Sequence, residues 1–520
     1  MATTPSPASR FDAYLDRLVA AVGHADRQSP MRAYITGLLL PGARKSVEPM
    51  AAVVDPRHAS ARHQSMHHFV ARAPWESEGV LQVARDVALP ALERHAPVAG
   101  WIIDDTSFPK KGNHSVGVAR QYSGIRGKTD NCQVAVTLSL ANATISVPCA
   151  VRLYLPLAWA EDLPRRRAAG VPDDIVFTEK WRIALAQIEH LLAVGLPRAP
   201  VLADAGYGDA TAFRQAITAF GLSYAVGVQG QVTVWPPGKA PLPPKRRPGR
   251  GRPPKRLRRD ARHRPVSVQA LAKALVPSQW KAVTWREGTK GAMRSRFAAA
   301  RVRAAHRDEN RTEPHPEEWL LMEWPEGEAA PTKFWLSSVP ANVELVELVG
   351  LVKLRWRIER DYEEMKDELG LDHYEGRSWL GFHHHTALCV AAYAFLATER
   401  ARLSPPSSSC LPPCPSSSQG FPPKGRPRYA LSATTPRPSP PSASCTPTHS
   451  SLRCQSARSA ALSPRACFCD TVVLGLVTKQ PSRFRPAAGD TGRRLSSSAC
   501  REHALLLVPC AVCPDARPRI

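Results

Sequence analysis

Acidic and basic side chains share one face of a predicted helix in the segment RWRIERDYEEMK, residues 355–366. The charged residues lie three or four positions apart, the spacing of neighbours on a helical surface: Arg355, Glu359, Glu363 and Lys366. A second face is apolar and aromatic, with Trp356, Ile358, Tyr362, Met365 and Leu369. A solvated face with ion pairs is the common interpretation of such a stripe. Because the apolar face fixes the helix against a core, however, its charges point in a definite direction, and Glu359 becomes a candidate for chemistry.

Two other acids follow apolar runs that are typical of buried strands. Asp105, or its neighbour Asp104, follows APVAGWII, and Asp204 follows APVLA. Acids at strand ends lie at the rim of a sheet, where ligands bind in α/β folds, although turn or cap aspartates are the alternative for each acid alone. Three carboxylates brought together would suit a pair of Mg²⁺ ions, with Mn²⁺ also possible, because hard cations prefer oxygen ligands. Two ions about 3.5–4 Å apart can support an in-line phosphoryl transfer.

The charge of the chain indicates a polyanionic partner. In 520 residues, 70 Lys and Arg outnumber 45 Asp and Glu, which gives a net charge of +25. Such an excess favours nucleic acid, with a basic disordered tail or an anionic membrane surface as the alternatives. No apolar run reaches the roughly 18 residues that a membrane span requires, and no secretory signal is recognisable. We therefore expect a cytoplasmic protein without a membrane partner.

The order of predicted elements indicates an α/β fold interrupted by an insertion. Residues 1–95 have the apolar spacing of helices, and residues 96–230 read as three strands followed by alternating helices and strands. This order predicts a mixed sheet flanked by helices. Residues 231–331 interrupt it with a basic and β-rich insertion, and residues 332–403 return to a strand and helices. One long helix is expected from about Asn342 to about Gly370.

A Pro- and Arg-rich linker, residues 236–264, opens the insertion and cannot pack a core. Its RPGRGRPPKR segment resembles an AT-hook, in which Arg250 and Arg252 would enter a narrow A·T-rich minor groove. A solvated linker that contacts phosphates without reading sequence is an equally weighted alternative.

The last part of the chain, residues 404–520, has no sustained helical or strand period. A disordered basic tail and an out-of-frame translation of GC-rich DNA are the two interpretations, and the second is favoured. Of the 12 cysteines, only Cys132, Cys149 and Cys389 precede residue 400, which indicates a reducing compartment. The adjacent histidines 383–385 point about 100° apart on a helix and are not expected to share a metal.

Four stretches carry a family resemblance: DDTSFPKKG at 104–112, ARQYSGIRGKTDNCQ at 119–133, LADAGYG at 202–208 and RWRIERDYEEMKDELGLDHYEGRSWLGFHHH at 355–385. Together they resemble insertion-sequence transposases of the DDE superfamily, which have a ribonuclease H-like core. The family's first acid directly precedes a threonine, so the resemblance selects Asp105 over Asp104. It assigns the second acid to Asp204 and the third to Glu359, and it implies that all three bind metal.

The resemblance also implies contacts with double-stranded DNA. The R-x3-E-x6-K signature places Arg355 and Lys366 beside the DNA, and the first stretch adds Lys110 and Lys111. The expected activity is metal-dependent cleavage and strand transfer of an insertion sequence by a homodimer that pairs two terminal repeats, in a nucleoid-associated prokaryotic protein. The N-terminal helical region, residues 1–95, and the insertion are expected to recognise those repeats. A decayed, inactive DNA-binding derivative is the first alternative. A glycosidase with paired carboxylates is a remote second one.

Overall fold

The computed structural model describes residues 5–124, 126–245, 254–288 and 291–404. The predictions for Arg250, Arg252 and the segment from 405 onward therefore lie outside the described residues. Among the described residues, no helix is both long and apolar enough to cross a membrane. The thiols of Cys132, Cys149 and Cys389 are buried and free of disulfides.

The N-terminal region is helical, as its apolar spacing predicts. Its helices are α1 (Pro7–Val22), α2 (Gln28–Leu39), α3 (Val47–Val54), α4 (Ala59–Ala71) and α5 (Ser77–Glu93). The hydroxyl of Ser6 caps α1 by accepting from the amide of Ser9 at 3.2 Å, and Pro7 occupies the first helical position, where no amide donor is needed. The apolar faces of these helices pack with a later helix in one core.

The central region forms a mixed sheet with helices on both faces. Its strands are β1 (Gly100–Pro109), β2 (Ala119–Ser123), β3 (Lys128–Ala141), β4 (Ser146–Leu153), β5 (Val201–Ala203) and β6 (Tyr224–Val228). The helices between β4 and β6 are α6 (Leu157–Ala160), α7 (Leu163–Ala168), α8 (Lys180–Ala193), α9 (Ala205–Gly208) and α10 (Thr211–Ala219). β1 pairs antiparallel with β3 and parallel with β5, which in turn runs parallel to β6. The architecture is the predicted α/β fold, consistent with a ribonuclease H-like core.

Strands of the insertion continue this same sheet. They are β7 (Thr233–Trp235), β8 (Val266–Ser267), β9 (Lys281–Gly288), β10 (Gly291–Ala304) and β11 (Glu317–Trp324), with helix α11 (Val268–Lys273) after β8. The chain then returns through β12 (Lys333–Ser337), which pairs antiparallel with both β11 and β6. In the described residues, twelve strands form one sheet with the path β2-β3-β1-β5-β6-β12-β11-β10-β7-β8, and off this path β4 pairs with β3 and β9 pairs with β10.

The predicted long helix is in fact two helices, α12 (Leu345–Lys353) and α13 (Trp356–Asp367), so the prediction of one continuous helix was wrong. At Leu354 and Arg355 the backbone stays near helical angles, but the amides of Arg357 and Ile358 bond three residues back, at 3.0 and 3.2 Å. Such a tightened turn interrupts the α-helical hydrogen-bond pattern without Gly or Pro. The first helix also begins later than predicted, with Glu344 rather than Asn342 as its cap.

Helix α13 is fixed by polar contacts to the sheet and to α14 (Trp379–Leu403). The hydroxyl groups of Tyr362 and Thr137 in β3 lie 2.5 Å apart. The buried carboxylate of Asp361 accepts from Ser146 Oγ at 2.5 Å and from Tyr393 in α14 at 3.0 Å. Burial raises the pKa of Asp361 to about 6 against these hydrogen bonds. α14 is buried nearly all round, which explains its apolar sequence.

The close packing of α9 on β6 depends on a glycine. A Cβ added at Gly208 would lie 1.9 Å from the carbonyl oxygen of Gly227, and no flexible side chain is available to yield. We expect Gly208→Ala to lower the free energy of unfolding by about 1–3 kcal/mol, the usual cost of overpacking. Gly350→Ala in α12 is the matched control, since nothing lies within 4 Å of its added Cβ and alanine favours a helix by about 0.5–1 kcal/mol. Thermal unfolding midpoints measure both, and a Gly208→Ala midpoint at or above that of the wild type would contradict the packing argument.

Candidate active site

Strand β1 carries both candidate first acids, and it separates them onto opposite faces of the sheet. β1 continues through both residues to Pro109, so neither acid ends the strand as the sequence suggested. Successive side chains of a strand point to opposite faces. Asp104 therefore lies on the face covered by α13, and Asp105 on the face covered by α8.

Arg355 connects the acids on the α13 face. Its guanidinium donates to the Oδ2 atom of Asp104 at 2.7 Å and to the Oε1 atom of Glu359 at 2.9 Å. Burial lowers the pKa of Arg355, but the carboxylates of Asp104, Glu359 and Asp204 outweigh it, and the pKa is raised. The guanidinium thus lies within electrostatic range of three acids from three separate elements.

Asp204 reaches this site from the neighbouring strand. It directly follows β5, and its Oδ1 atom caps α9 by accepting from the amide of Gly206 at 3.0 Å. β1 and β5 run parallel, and Ile102 lies opposite Leu202. Asp104 and Asp204 each follow this pair by two residues, so they occupy matching positions along the two segments. Burial raises the pKa of Asp104 to about 7, and the charges of Asp204 and Asp105 add to the rise while Arg355 opposes it.

Asp105 has different partners on the other face. Its Oδ2 atom accepts from Nζ of Lys180, the first residue of α8, at 2.5 Å, and its Oδ1 atom accepts from the hydroxyl of Tyr207 in α9. Burial raises the pKa of Tyr207 well above its ordinary value, and the charge of Asp105 adds to this rise. Lys180 and Tyr207 were not among the residues predicted from the sequence. Tyr207 lies within the LADAGYG stretch, but nothing in the sequence marks Lys180.

The lysines predicted to contact DNA differ in their surroundings. Nζ of Lys366 donates to the hydroxyl of Thr106 at 2.6 Å and to the carbonyl of Ser107 at 3.2 Å, and burial lowers its pKa to about 8. Lys110 donates to the carbonyl of Tyr374 at 2.6 Å, and burial lowers its pKa as well. Lys111 is exposed. Lys366 therefore holds α13 against β1, and Lys110 holds the loop after α13 against the end of β1.

The adjacent histidines are structural. They lie in the first two turns of α14, and burial lowers the pKa of each to about 4. The ring nitrogens of His384 lie 3.0 and 2.7 Å from the carbonyl oxygens of Val70 and Trp75. Two carbonyl partners can both be satisfied only by an imidazolium, so the hydrogen bonds oppose the effect of burial. The contacts attach the end of α4 to α14.

The donor atoms at the site suit a hard cation, but they are not arranged around one. Within the residues that the structure describes, no group of three or more His, Cys, Asp or Glu side chains is placed to hold a metal ion. The carboxylates of Asp104 and Glu359 accept hydrogen bonds from Arg355 instead, and Asp204 lies within its electrostatic range. The chemistry of the set is nevertheless that of a Mg²⁺ site, because its candidate ligands are all carboxylate oxygens.

A protein from Microchaete diplosiphon with the name "Probable transposase for insertion sequence element IS701" is 30% identical to this chain over 187 residues. The alignment covers 36% of this chain and 45% of that protein, so the chain spans less than half the length of this relative.

A sequence profile for a DDE superfamily endonuclease matches residues 17–292, more than half of the chain. The match includes Asp104, Asp105 and Asp204 and ends before α13, so Glu359 lies outside it. The acids of β1 and β5 lie in the part of the chain that the family shares. The chain belongs to the DDE superfamily of endonucleases.

Proposed function

We propose that the protein is an insertion-sequence transposase that cleaves DNA strands and joins them to a target. The observation that carries this proposal is the contact of Arg355 with both Asp104 and Glu359, within electrostatic range of Asp204. The family and the transposase relative support the reaction class, and the charge of +25 fits a DNA substrate. Water would first free a 3′-hydroxyl at the end of the element, and that hydroxyl would then attack the target strand.

The three acids of the α13 face would hold two Mg²⁺ ions, with Mn²⁺ as a substitute. Bound ions would make the attacking oxygen more acidic and offset the charge of the scissile phosphate. In the free protein, Arg355 neutralises the carboxylates. A bound ion would take over that role, and the guanidinium would then be free to bind a DNA phosphate, for which its forked donors are suited.

The D-T motif of the sequence and the contacts of the structure identify different residues as the first acid. The D-T pair favours Asp105, whereas the contacts with Arg355 favour Asp104. We propose that Asp104 is the first metal ligand. Asp105 would be a positioning residue that holds Tyr207 and Lys180 on the opposite face of the sheet. The family resemblance supports the rest of the proposal. The protein would act as a homodimer that pairs two terminal repeats, and its substrate would be the cytoplasmic DNA of a prokaryote.

Glu359→Gln tests the proposed chemistry. We expect it to reduce Mg²⁺-dependent nicking of supercoiled DNA by about 100-fold or more, the scale on which a preorganised electrostatic group contributes to catalysis. Glu363→Gln is the matched control, because Glu363 is exposed on the same helix one turn further on, and it should retain activity within about twofold of wild type. Equal nicking by wild type and Glu359→Gln would exclude the site, and nicking that persists in EDTA would favour a metal-independent hydrolase. An inactive wild-type protein would support the decayed alternative.

Asparagine substitutions distinguish the two neighbouring aspartates. Asp104→Asn should reduce nicking to the same extent as Glu359→Gln, since it removes a carboxylate that pairs with Arg355. Asp105→Asn should leave measurable activity with a lower rate, because the amide oxygen can still accept from Lys180 while the amide nitrogen donates to the hydroxyl of Tyr207. Nicking rates at saturating Mg²⁺, together with thermal unfolding midpoints, provide the comparison. The reverse order of activities would return the assignment to Asp105.

A further inference from the structure

Lys353 is surrounded by aromatic rings from the insertion and from the strand that follows it. It is the last residue of α12 and lies two positions before Arg355. Its Nζ atom lies 4.4 Å from the ring centre of Trp285 in β9, and 5.4 Å from those of Phe297 in β10 and Trp335 in β12. We call these three rings the lysine cage. An ammonium group within about 6 Å of an aromatic ring centre is attracted to the face of the ring, so the cage holds the end of this side chain.

A carboxylate completes the surroundings of Lys353. Its Nζ atom donates to the Oε2 atom of Glu323 in β11 at 2.7 Å. The side chains of Lys353 and Glu323 are 15% and 3% exposed, so the ion pair is largely removed from water. Burial lowers the pKa of Lys353, and the hydrogen bond and charge of Glu323 oppose that effect. A buried ion pair adds little net stability compared with apolar side chains of similar volume, but it restricts both partners to one geometry.

The pairing of the strands brings these side chains to one face of the sheet. Phe297 lies opposite Glu323 in the β10–β11 pair, and Trp335 lies opposite Leu321 in the β11–β12 pair. Residues that lie opposite each other, or two positions apart on a strand, share a face. The register of β9 against β10 shifts beside Trp285, and such an irregularity redirects a side chain. Four strands, β9 to β12, therefore each contribute one residue to the contacts of Lys353.

A second contact from β9 reaches the other end of the turn between α12 and α13. The guanidinium of Arg286, the residue after Trp285, lies 3.9 Å from the ring centre of Trp356, the first residue of α13. Consecutive residues of β9 thus contact the last residue of α12 and the first residue of α13. Arg355 lies in the turn between them, so its position depends on what holds these two helix ends.

We propose that Lys353 is a positioning residue for Arg355, and that the strands of the insertion act on the active site through the lysine cage. The inference rests on the proposed function. Release of Lys353 from the cage would free the end of α12 from β9 to β12, and the guanidinium of Arg355 would shift relative to Asp104 and Glu359. A misplacement of about 1 Å can slow catalysis by about 100-fold, so a side chain outside the catalytic set can control the rate.

The test measures the pairing of Arg355 in the full chain, without DNA or metal. Phenylglyoxal modifies the deprotonated guanidine group, and mass spectrometry of peptides gives the rate at each arginine. Arg355 should react slowly in the wild type, because its carboxylate partners raise its pKa. Arg360 is the internal reference: it lies on the same helix, pairs with Glu364 and has a similar side-chain exposure, 32% against 27% for Arg355.

Two variants disrupt the contacts of Lys353 in different ways. Trp285→Leu removes the nearest ring, and Lys353→Met together with Glu323→Gln removes the ion pair without leaving a buried charge unpaired. Each should raise the modification rate of Arg355 relative to Arg360 by about threefold or more, because a loss of one pKa unit raises the neutral fraction about tenfold. Trp285→Phe retains a ring that attracts the ammonium group and should keep the wild-type ratio.

The matched control is Trp324→Leu, which removes the same kind of ring elsewhere in the sheet. Trp324 contacts the guanidinium of Arg296 at 4.0 Å, and its loss should leave the ratio of modification rates unchanged. In the nicking assay, the two variants at the cage should lose about tenfold or more in kcat while KM for DNA stays within about twofold of wild type. A merely structural contact would instead lower the thermal unfolding midpoint without changing kcat of the folded protein.

An unchanged ratio of modification rates in the folded cage variants would overturn the inference. An equal rise at Arg360 would also overturn it, since that would indicate a general loosening of α13. Equal nicking by wild type and Glu359→Gln would remove the proposed function, whereas the modification rates would still decide whether the cage positions Arg355.

Discussion

Mutual repulsion of carboxylates is the constraint on which this site depends. Two like charges about 4 Å apart repel by about 4 kcal/mol at the effective dielectric of a protein surface, and burial adds to the cost. Arg355 offsets this by donating to Asp104 and Glu359 while lying in the field of Asp204. Burial is the largest cause of the raised pKa of Asp104, about 7, and the charge of Arg355 opposes that rise more strongly than the charge of Asp204 adds to it. The position of Arg355 is therefore essential to the charge balance of the site.

The surrounding fold holds these charges at fixed positions. The parallel pairing of β1 with β5 places Asp104 and Asp204 at neighbouring positions on the sheet. Helix α13 is attached to β3 through Tyr362 and to β4 and α14 through Asp361. Lys366 ties the far end of the helix to β1. These contacts fix the rotation of α13 about its axis, and that rotation determines where Arg355 and Glu359 point.

The sequence predicted the elements that carry the site better than it predicted the contacts within it. Apolar runs and helical spacing identified β1, β5 and the helix with Glu359, because burial imposes those patterns directly. The sequence could not choose between Asp104 and Asp105, since adjacent strand residues face opposite sides and the choice depends on which helix covers each face. The turn at Leu354 and Arg355 contains neither Gly nor Pro and gave no signal. Lys180 is 75 residues from its partner Asp105, a contact that no local pattern can indicate.

The pairing of β12 with both β6 and β11 determines whether the insertion can be removed from the sheet. It is not a module that could be exchanged between relatives by cutting at residues 231 and 331. Excision would strip β12 of its outer neighbour and leave unsatisfied backbone groups along an apolar strand. Bare edges of this kind join to those of other molecules, so a minimal nuclease engineered in this way would be prone to aggregation. Shortening the chain without this penalty would require a replacement strand or a charged edge.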